Sequence, residues 1–281
     1  MKNRRKTITA VLSYAFLTLL GLVFIYPLLF MISASFKSNA ELITSTSLIP
    51  RTITFESYIK GWVGVGQYTF DLFLFNSLML VIPMVLFTIL SSSLVGYGFA
   101  RFRFKGHGFL FGAMLSTLML PNAVVIIPKY IMFRQFGWLD TYSVFYIPAL
   151  FACYPFFIFC MVQFIRGIPK SIDESAFMDG CTTFRIFTHM IIPLSKPALF
   201  SIGIFQFIWT WNDYFNPLIF INSVKRYTVM QGLRLSMDSS SGISWGPVMA
   251  MSFVTILPCV LVFFLAQKYF VEGVVTTGLK G

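Results

Sequence analysis

Charged side chains are scarce in this chain of 281 residues. Lysine, arginine, aspartate and glutamate together make up 11% of the sequence, and hydrophobic residues make up 57%. An average soluble domain has about 25% charged residues, so the composition excludes an ordinary soluble domain. Acidic residues are the scarcer charged class, with 10 against 21 basic residues, which leaves a formal net charge of +11.

Histidine and cysteine, which supply many metal ligands and nucleophiles, are also few. The two histidines, His107 and His189, have no acidic partner at ligand spacing, so no hydrolase or zinc site is indicated. The motif G-x-x-x-x-G-K-[ST] is missing, so this chain does not hold ATP phosphates in the usual way. The cysteines show no metal-ligand spacing and are expected to be small apolar packing residues without disulfides: Cys153, Cys160, Cys181 and Cys259.

Long apolar segments, in contrast, are abundant. About 20 consecutive apolar residues suffice to cross a hydrocarbon core about 30 Å thick. Pro121 and Pro128 interrupt the third segment, which is tolerated where neighbouring helices or water satisfy the freed carbonyl groups. The pattern predicts an all-α, polytopic membrane protein with six transmembrane helices: Val11–Ser33, Leu72–Ala100, Phe109–Met132, Tyr142–Ile165, Ala198–Ile221 and Pro247–Gln267.

Basic residues are unevenly distributed over the loops between these segments. If the six segments alternate, most basic residues fall on one side of the membrane, which the positive-inside rule places in the cytoplasm together with both termini. Topology and lipid headgroups thus explain the charge, and no nucleic-acid partner is expected. The first segment is expected to be an uncleaved anchor, because it exceeds the roughly 7–15 apolar residues of a signal peptide. The basic residues on that side are Lys2, Arg4, Arg5, Lys6, Arg101, Arg103, Lys105, Arg166, Lys170, Arg185, Lys196, Lys268 and Lys280.

One polar, helix-forming segment lies between the fourth and fifth apolar segments. It runs from Ser171 to Gly180, and Met190-Ile191-Ile192-Pro193 follows ten residues later. Ser171 and Glu174 have the spacing of a capping box, and Gly180 can adopt the left-handed conformation that ends a helix.

The same helix is predicted to have a small apolar face, formed by Ile172, Ala176 and Met178-Asp179. Such a face can enter a groove on a partner protein. A cytoplasmic connector without a docking role is the alternative.

This segment is similar to the EAA loop of permease subunits of bacterial binding-protein-dependent ABC importers. The family pattern is Glu-Ala-Ala-x(3)-Gly-x(9)-Ile-x-Leu-Pro, and Glu174-Ser175-Ala176, Gly180 and Pro193 occupy matching positions. Ser175, Met190 and Ile192 are conservative departures. The similarity extends over most of the chain and is greatest to the second permease of maltose-type carbohydrate importers, whose typical ending resembles residues 267–281.

The resemblance implies the type I ABC importer permease fold. Residues 1–70 would hold the cytoplasmic N-terminus, the first transmembrane helix and an outer loop. Residues 71–267 would form the transmembrane core, with a cytoplasmic coupling loop at 166–197, and residues 268–281 a cytoplasmic tail. By the same resemblance, the residues that couple the permease to an ATPase are Asp173, Glu174, Ser175, Ala176, Phe177, Asp179 and Gly180.

The resemblance also implies the partners and the activity. The chain would work in the cytoplasmic (inner) membrane with a second homologous permease, two ATPase subunits and an extracytoplasmic solute-binding protein. ATP and Mg would be used by the ATPase subunits, while this chain would bind no cofactor and would not be an enzyme. Its cargo would be sugars, particularly oligosaccharides. The outer loop 222–245 would contact the binding protein, or be a flexible loop, and residues 272–281 would reach between the ATPase subunits, or be frayed.

Alternative functions remain open at this point. A non-sugar solute is one, and an ion-coupled secondary transporter is another, for which only Asp213 qualifies as a carboxylate near the midplane. An integral-membrane enzyme would need clustered histidines or acidic residues near one interface, and the sequence lacks such a cluster.

The fifth apolar segment has the most polar side chains. Several of them recur at steps of three and four residues and so would share one helical face. An aspartate in a membrane span usually faces a bundle interior or a wet cavity, and amides, carboxylates and indoles suit sugars. An interhelical polar lock is the equally weighted alternative. The candidate path residues are Gln206, Trp209, Asn212, Asp213 and Asn216, with Asn122 and Asn76 as secondary candidates that could instead be satisfied helix-end residues.

Overall fold

The computed structural model describes residues 2–238 and 244–278. Helices dominate these residues, and apart from one isolated bridge between Val65 and Tyr68 they form no β-structure. A π-helical turn, Phe187–Ile191, and a 3-10 turn, Val224–Arg226, complete the regular structure. The helices are α1 Lys2–Ser35, α2 Asn39–Thr44, α3 Glu56–Val63, α4 Phe70–Arg101, α5 His107–Thr117, α6 Asn122–Gln135, α7 Ser143–Leu150, α8 Pro155–Arg166, α9 Ser171–Met178, α10 Thr183–Ile186, α11 Ile192–Leu194, α12 Lys196–Trp211, α13 Phe215–Phe220, α14 Val229–Asp238 and α15 Trp245–Gly278.

The helical membrane fold predicted from the sequence is confirmed. Within the described residues, four segments are long and apolar enough to cross a membrane: Thr9–Ser35, Phe70–Arg101, Ser143–Arg166 and Trp245–Gln267. Two bent helix pairs raise the number of spans to as many as six if each pair is one span. These pairs are α5 with α6, bent by 102°, and Thr183–Leu194 with α12, bent by 74°.

The third and fifth predicted segments are not continuous helices, which corrects the sequence interpretation. The third breaks between α5 and α6, where Pro121 adopts an extended backbone with ψ 139°. Proline lacks the N–H that would continue the α5 hydrogen bonding. The fifth ends as a helix at Trp211, because Asn212 and Asp213 bond to nearby backbone instead of continuing it.

The fourth predicted segment is one span with an interruption. Its two helices, α7 and α8, are separated by residues 151–154. Ala152 there has a positive φ of 58°, and Pro155 opens α8 at a position where its missing N–H costs no intrahelical bond.

The chain divides into two compact units by its internal contacts. One consists of Met1–Asp71 and Gly232–Leu257, and the other of Leu72–Gln231 and Pro258–Gly281. The first division between these units falls between Asp71 and Leu72, and the predicted domain boundaries stay a prediction. The helical backbone continues to Gly278, and residues 279–281 of the predicted tail lie outside the described part of the chain.

The first unit begins with an apolar helix and continues in a segment ordered by polar contacts. The most apolar window of Thr9–Ser35 has no buried residue, so lipid or a partner protein must cover it in a membrane.

After α1, the buried Lys37 ammonium donates to the Ser47 carbonyl and lies 5.6 Å from the Phe30 ring centroid. The Glu41 carboxylate accepts from the Arg51 N–H at 2.9 Å. These contacts order the predicted outer loop.

The second unit contains two buried apolar clusters. One lies between α4, α6, α7 and α13 and includes Leu80, Met84, Phe133, Phe145 and Phe220. The other gathers side chains from α4, α8 and α12 with residues of the predicted coupling loop. The 166–197 segment therefore packs on the membrane helices as part of one core. The second cluster consists of Tyr97, Phe157, Met161, Ile165, Ala176, Ile186, Phe187, Ile191 and Ile202.

The approach of α4 to α8 gives a stability prediction. A Cβ at Gly96 would lie 2.6 Å from the Met161 Cβ, so Gly96→Ala should force the helices apart. Overpacking of this kind costs about 1–3 kcal/mol, and we expect a lower Tm for the detergent-purified protein. Gly98→Ala, whose Cβ would meet open space, is the matched control and should keep or raise the Tm. Equal Tm values for the two variants would contradict the close approach.

Candidate functional site

Helix α9, Ser171–Met178, occupies the segment singled out by the sequence, but it begins differently from the prediction. The Glu174 N–H donates to the Lys170 carbonyl at 3.1 Å. Lys170 is therefore the N-cap, and no side chain caps the helix there. The predicted capping box between Ser171 and Glu174 is wrong, because Ser171 already lies within the first turn.

The end of α9 agrees with the prediction. Gly180 has a φ of 75°, in the left-handed region. Its N–H donates to the Phe177 carbonyl at 3.0 Å, and the Cys181 N–H donates to the Ala176 carbonyl at 2.9 Å. This pair of bonds is a Schellman motif, which satisfies carbonyls at the helix end.

The buried and exposed residues of α9 differ from those that the predicted apolar face implies. Asp173 and Ala176 are buried against the chain itself, whereas Glu174 and Ser175 are exposed. Phe177 is 52% and Met178 is 88% exposed. Asp173 and Ala176 are three residues apart and share the inward face. The face open to a partner is thus formed by Glu174, Phe177 and Met178, and not by Ile172 and Ala176.

A buried ion pair explains the position of Asp173. The Arg101 Nε lies 2.6 Å from the Asp173 Oδ2, and the two side chains are 6% and 11% exposed. Burial raises the pKa of the Asp173 carboxyl, and the Arg101 guanidinium opposes that shift. The sequence interpretation assigned Arg101 to membrane topology only and missed this contact, although its basic side chain next to the second span was the available signal.

The second unit encloses a cavity of about 610 Å³. It collects residues from α4, α6, α7, α12 and α13 and from the two breaks at residues 151–154 and 212–214. All the predicted path residues of the fifth segment line it, and so does Asn122. The polar and aromatic residues lining the cavity are Asn122, Lys129, Phe133, Phe145, Tyr154, Gln206, Trp209, Thr210, Asn212, Asp213, Asn216 and Phe220.

The polar residues of the fifth segment reach the cavity through the break between α12 and α13, and not by sharing one helical face. The Asn212 amide donates to the Ile208 carbonyl at 2.8 Å and closes the end of α12. The Asp213 carboxylate then accepts from the Asn216 N–H at 3.1 Å and from its side-chain amide at 2.7 Å, which opens α13. The predicted shared face is wrong for Asp213 and Asn216, yet the turn brings both to the same cavity.

Trp209 and Gln206 form a mixed aromatic and polar wall. The Trp209 ring is half-exposed and lies 5.1 Å from the Phe156 ring centroid and 5.2 Å from that of Phe157. The Gln206 amide donates to the Thr210 hydroxyl at 2.7 Å, while its carbonyl oxygen has no hydrogen-bond partner among the described residues. Such a wall offers both a ring face and unused hydrogen-bonding capacity to a ligand.

Asn76 is not among the residues that line the cavity, whereas Lys129 is one of them. Asn76 is buried, and its amide donates to the carbonyls of Lys225 and Tyr227, both at 2.9 Å. It therefore holds a loop, as the alternative interpretation had it. Lys129 lines the cavity but was not predicted, although a single lysine inside an apolar segment was a usable signal.

The loop after α13 is held by a second charged residue. The Asp140 carboxylate accepts from the N–H groups of Asn222 and Ser223 at 3.0 and 2.9 Å. It also accepts from the Ser223 hydroxyl at 2.5 Å and the Arg226 guanidinium at 2.7 Å. These contacts hold residues 222–226 of the predicted loop, and residues 239–243 of that loop lie outside the described part of the chain.

Comparisons with known proteins identify the class. Residues 77–275 match the family model described as "Binding-protein-dependent transport system inner membrane component". The "Arabinooligosaccharides transport system permease protein AraQ" of Halalkalibacterium halodurans is 31% identical over 284 residues, covering 100% of both chains. The "Trehalose/maltose transport system permease protein MalG" of Thermococcus litoralis is 30% identical over 263 residues, covering 94% of each.

A solved structure supports the fold. A bacterial ABC transporter involved in the import of the acidic polysaccharide alginate matches with a TM-score of 0.81 and 24% identity, over 95% of this chain and 98% of that chain. A helical, multi-pass chain with a packed loop matching the EAA pattern and a cavity between broken helices is the permease of an ABC importer. The chain belongs to the family of binding-protein-dependent transport system inner membrane components.

The Asp140 contacts give a pH-dependent prediction. Burial alone would raise the Asp140 pKa, but the hydrogen bonds from Ser223 and Asn222 and the Arg226 charge outweigh it and lower the pKa below 3.8. The stabilisation is therefore fully present above that value and is lost as the pH falls through the lower, folded-state pKa. Asp140→Asn should speed amide exchange in residues 222–226 about two- to fivefold at neutral pH, as for a partly exposed charge pair.

The matched control is Asp71→Asn, which changes an exposed carboxyl in the first unit and should leave that exchange unchanged. The difference between wild type and Asp140→Asn should persist down to about pH 3.8 and shrink only below it. A difference that disappears already near neutral pH would contradict the assignment to the Asp140 carboxylate.

Proposed function

We propose that this chain translocates sugars, particularly oligosaccharides, as one permease subunit of an ATP-driven importer. The single observation that carries the proposal is the cavity, in which amides, a carboxylate and a half-exposed tryptophan ring face one space. Sugar hydroxyls take hydrogen bonds from amides and carboxylates, and the apolar face of a sugar ring stacks on an aromatic ring. Relatives named for arabinooligosaccharide and for trehalose/maltose transport support the same substrate class.

Among the residues that the structure describes, the cavity is lined by one basic side chain, Lys129, and one acidic side chain, Asp213. These opposite charges favour neutral sugars over ions. Asp213 is already engaged by Asn216, so its carboxylate is held in place as an acceptor. An ion-coupled secondary transporter has no further support, because family membership places this chain in binding-protein-dependent transport. The cavity would serve as a passage with weak, repeated polar contacts rather than as a tight binding site.

The partners follow from the family and from the exposed face of α9. A second homologous permease would complete the passage, and two ATPase subunits would use ATP and Mg in the cytoplasm, where both termini would lie. An extracytoplasmic solute-binding protein would deliver the sugar. Glu174, Phe177 and Met178 would contact an ATPase subunit, because these side chains are exposed on a short helix and an exposed apolar helix face can enter a groove on a partner.

The proposal is tested by reconstituting the complete importer in proteoliposomes and measuring uptake of labelled oligosaccharides with ATP inside the vesicles. ATP-dependent and binding-protein-dependent uptake of at least one oligosaccharide is the expected result. Uptake restricted to a non-sugar solute, by a complex that hydrolyses ATP in response to its binding protein, would overturn the sugar assignment.

The Trp209 ring gives a specific prediction within that assay. Trp209→Ala should lower sugar uptake about two- to tenfold, the range expected for loss of an aromatic contact of about 0.5–1.5 kcal/mol. Trp62→Ala is the matched control, since Trp62 is a half-exposed tryptophan of the first unit, and it should leave uptake unchanged. Equal uptake by both variants at equal protein levels would remove Trp209 from the passage.

The exposed face of α9 gives a prediction about assembly. Phe177→Ala should weaken binding of the ATPase subunit about tenfold or more, as for a buried aromatic anchor of an interface, while the Tm of the isolated permease stays unchanged. Binding can be measured by titrating labelled ATPase onto the detergent-purified permease. Phe109→Ala, also an exposed phenylalanine but on α5, is the control, and a similar loss of binding in it would contradict docking through α9.

A further inference from the structure

The ion pair between Arg101 and Asp173 connects two elements that the sequence keeps far apart. Arg101 is the last residue of α4, and Asp173 lies in the first turn of α9. The Arg101 Nε lies 2.6 Å from the Asp173 Oδ2, and the Arg101 Nη2 donates to the Ile168 carbonyl at 3.0 Å. One guanidinium thus holds both α9 and the connector that leads into it.

The pair is shielded from water. The two side chains are 6% and 11% exposed, and neither Asp173 oxygen has a hydrogen-bond partner with good geometry among the described residues. The Asp173 carboxylate therefore depends on the Arg101 charge. Removing one member of a buried ion pair leaves the other charge uncompensated in a poorly solvated site, which is strongly unfavourable.

Apolar packing holds the same two elements on either side of the pair. Tyr97, one helical turn before Arg101, and Ala176, three residues after Asp173, belong to one buried cluster. The Tyr97 ring also lies 5.1 Å from that of Phe187, in the π-helical turn that leads towards α12. A displacement of α9 away from α4 would have to break the ion pair and open this cluster together.

Helix α4 extends from the ion pair to the cavity. It is a continuous helix of 32 residues, and its Leu80 and Met84 line the cavity described above. A push on α9 that is transferred to the end of α4 therefore reaches the cavity wall along a single element. Glu174, Phe177 and Met178 are exposed to solvent, whereas Asp173 is buried in its contact with Arg101.

We propose that Arg101 and Asp173 are positioning residues that form the internal joint between the docking helix α9 and the cavity-lining helix α4. The inference rests on the proposed function, because it assigns the direction of coupling from a docked ATPase to the passage. Asp173, which the sequence resemblance placed among the ATPase-coupling residues, then acts through Arg101 and not by touching the ATPase.

The test uses the complete importer in proteoliposomes and compares the amount of solute imported per ATP hydrolysed. Arg101→Met and Asp173→Asn should each lower this ratio on the order of tenfold, while the complex still assembles and still hydrolyses ATP. The exchanged pair, Arg101→Asp with Asp173→Arg, should recover a large part of the loss, and Arg101→Lys should lose less than Arg101→Met. Arg103→Met, an exposed basic residue of the same loop, is the matched control and should keep the wild-type ratio.

A purely structural role predicts a different result. Assembly, ATP hydrolysis and uptake would then fall in proportion, the ratio would stay at the wild-type value, and the proposed joint would be overturned. Single variants with wild-type uptake, or an exchanged pair that recovers assembly but not the ratio, would overturn it as well.

Hydrogen exchange separates this inference from the proposed function. In the assembled importer without solute or ATP, amides of residues 172–181 should exchange faster in either single variant and return towards wild type in the exchanged pair. If the wild-type importer carries no sugar while this exchange pattern is found, the substrate assignment fails and the joint stands. Unchanged exchange in both single variants would overturn the joint even where sugar uptake is normal.

Discussion

Backbone polar groups inside a hydrocarbon core must find partners within the chain or in water, and this requirement governs where the helices of this protein can break. Non-helical backbone at membrane depth is tolerated where it is covered by protein or lines a wet cavity. The break before Asn122, the break at residues 151–154 and the break at residues 212–214 all border the same cavity. These irregular segments thus lie beside the cavity, and the same breaks bring its polar side chains together.

Charged residues also hold particular segments of the chain in place. Charged residues make up 11% of the chain, and two ion pairs of the second unit hold segments in place. Asp140 binds the loop at residues 222–226, near the start of α4, where Asn76 and Ser77 also bond to that loop and the residues after it. Arg101 and Asp173 form their pair where α4 ends. Both ends of this helix are therefore held by polar contacts, while its middle packs in the apolar core.

This arrangement makes α4 the element common to residues 166–197 and the cavity. The Gly96 position brings α4 close to Met161 of α8, and the cluster around Tyr97 includes Ala176 and Phe187. Interiors packed in this way transmit displacement, because a close-packed core has little free volume to absorb it. The proposed joint would couple the exposed face of α9 to the cavity wall in this way.

The sequence by itself determined the membrane class, the approximate spans, the helix at residues 171–178 and its glycine-terminated end, and most polar residues of the cavity. These features depend on local composition, periodicity and turn chemistry, which short segments carry alone. Only the tertiary structure decided that Asp173 faces Arg101, that Asn76 holds a loop, that Lys129 lines the cavity, and that Phe177 and Met178 form the exposed face of α9. Each of these depends on which distant segment packs against the residue, and neither the helical period nor the spacing along the chain determines that neighbour.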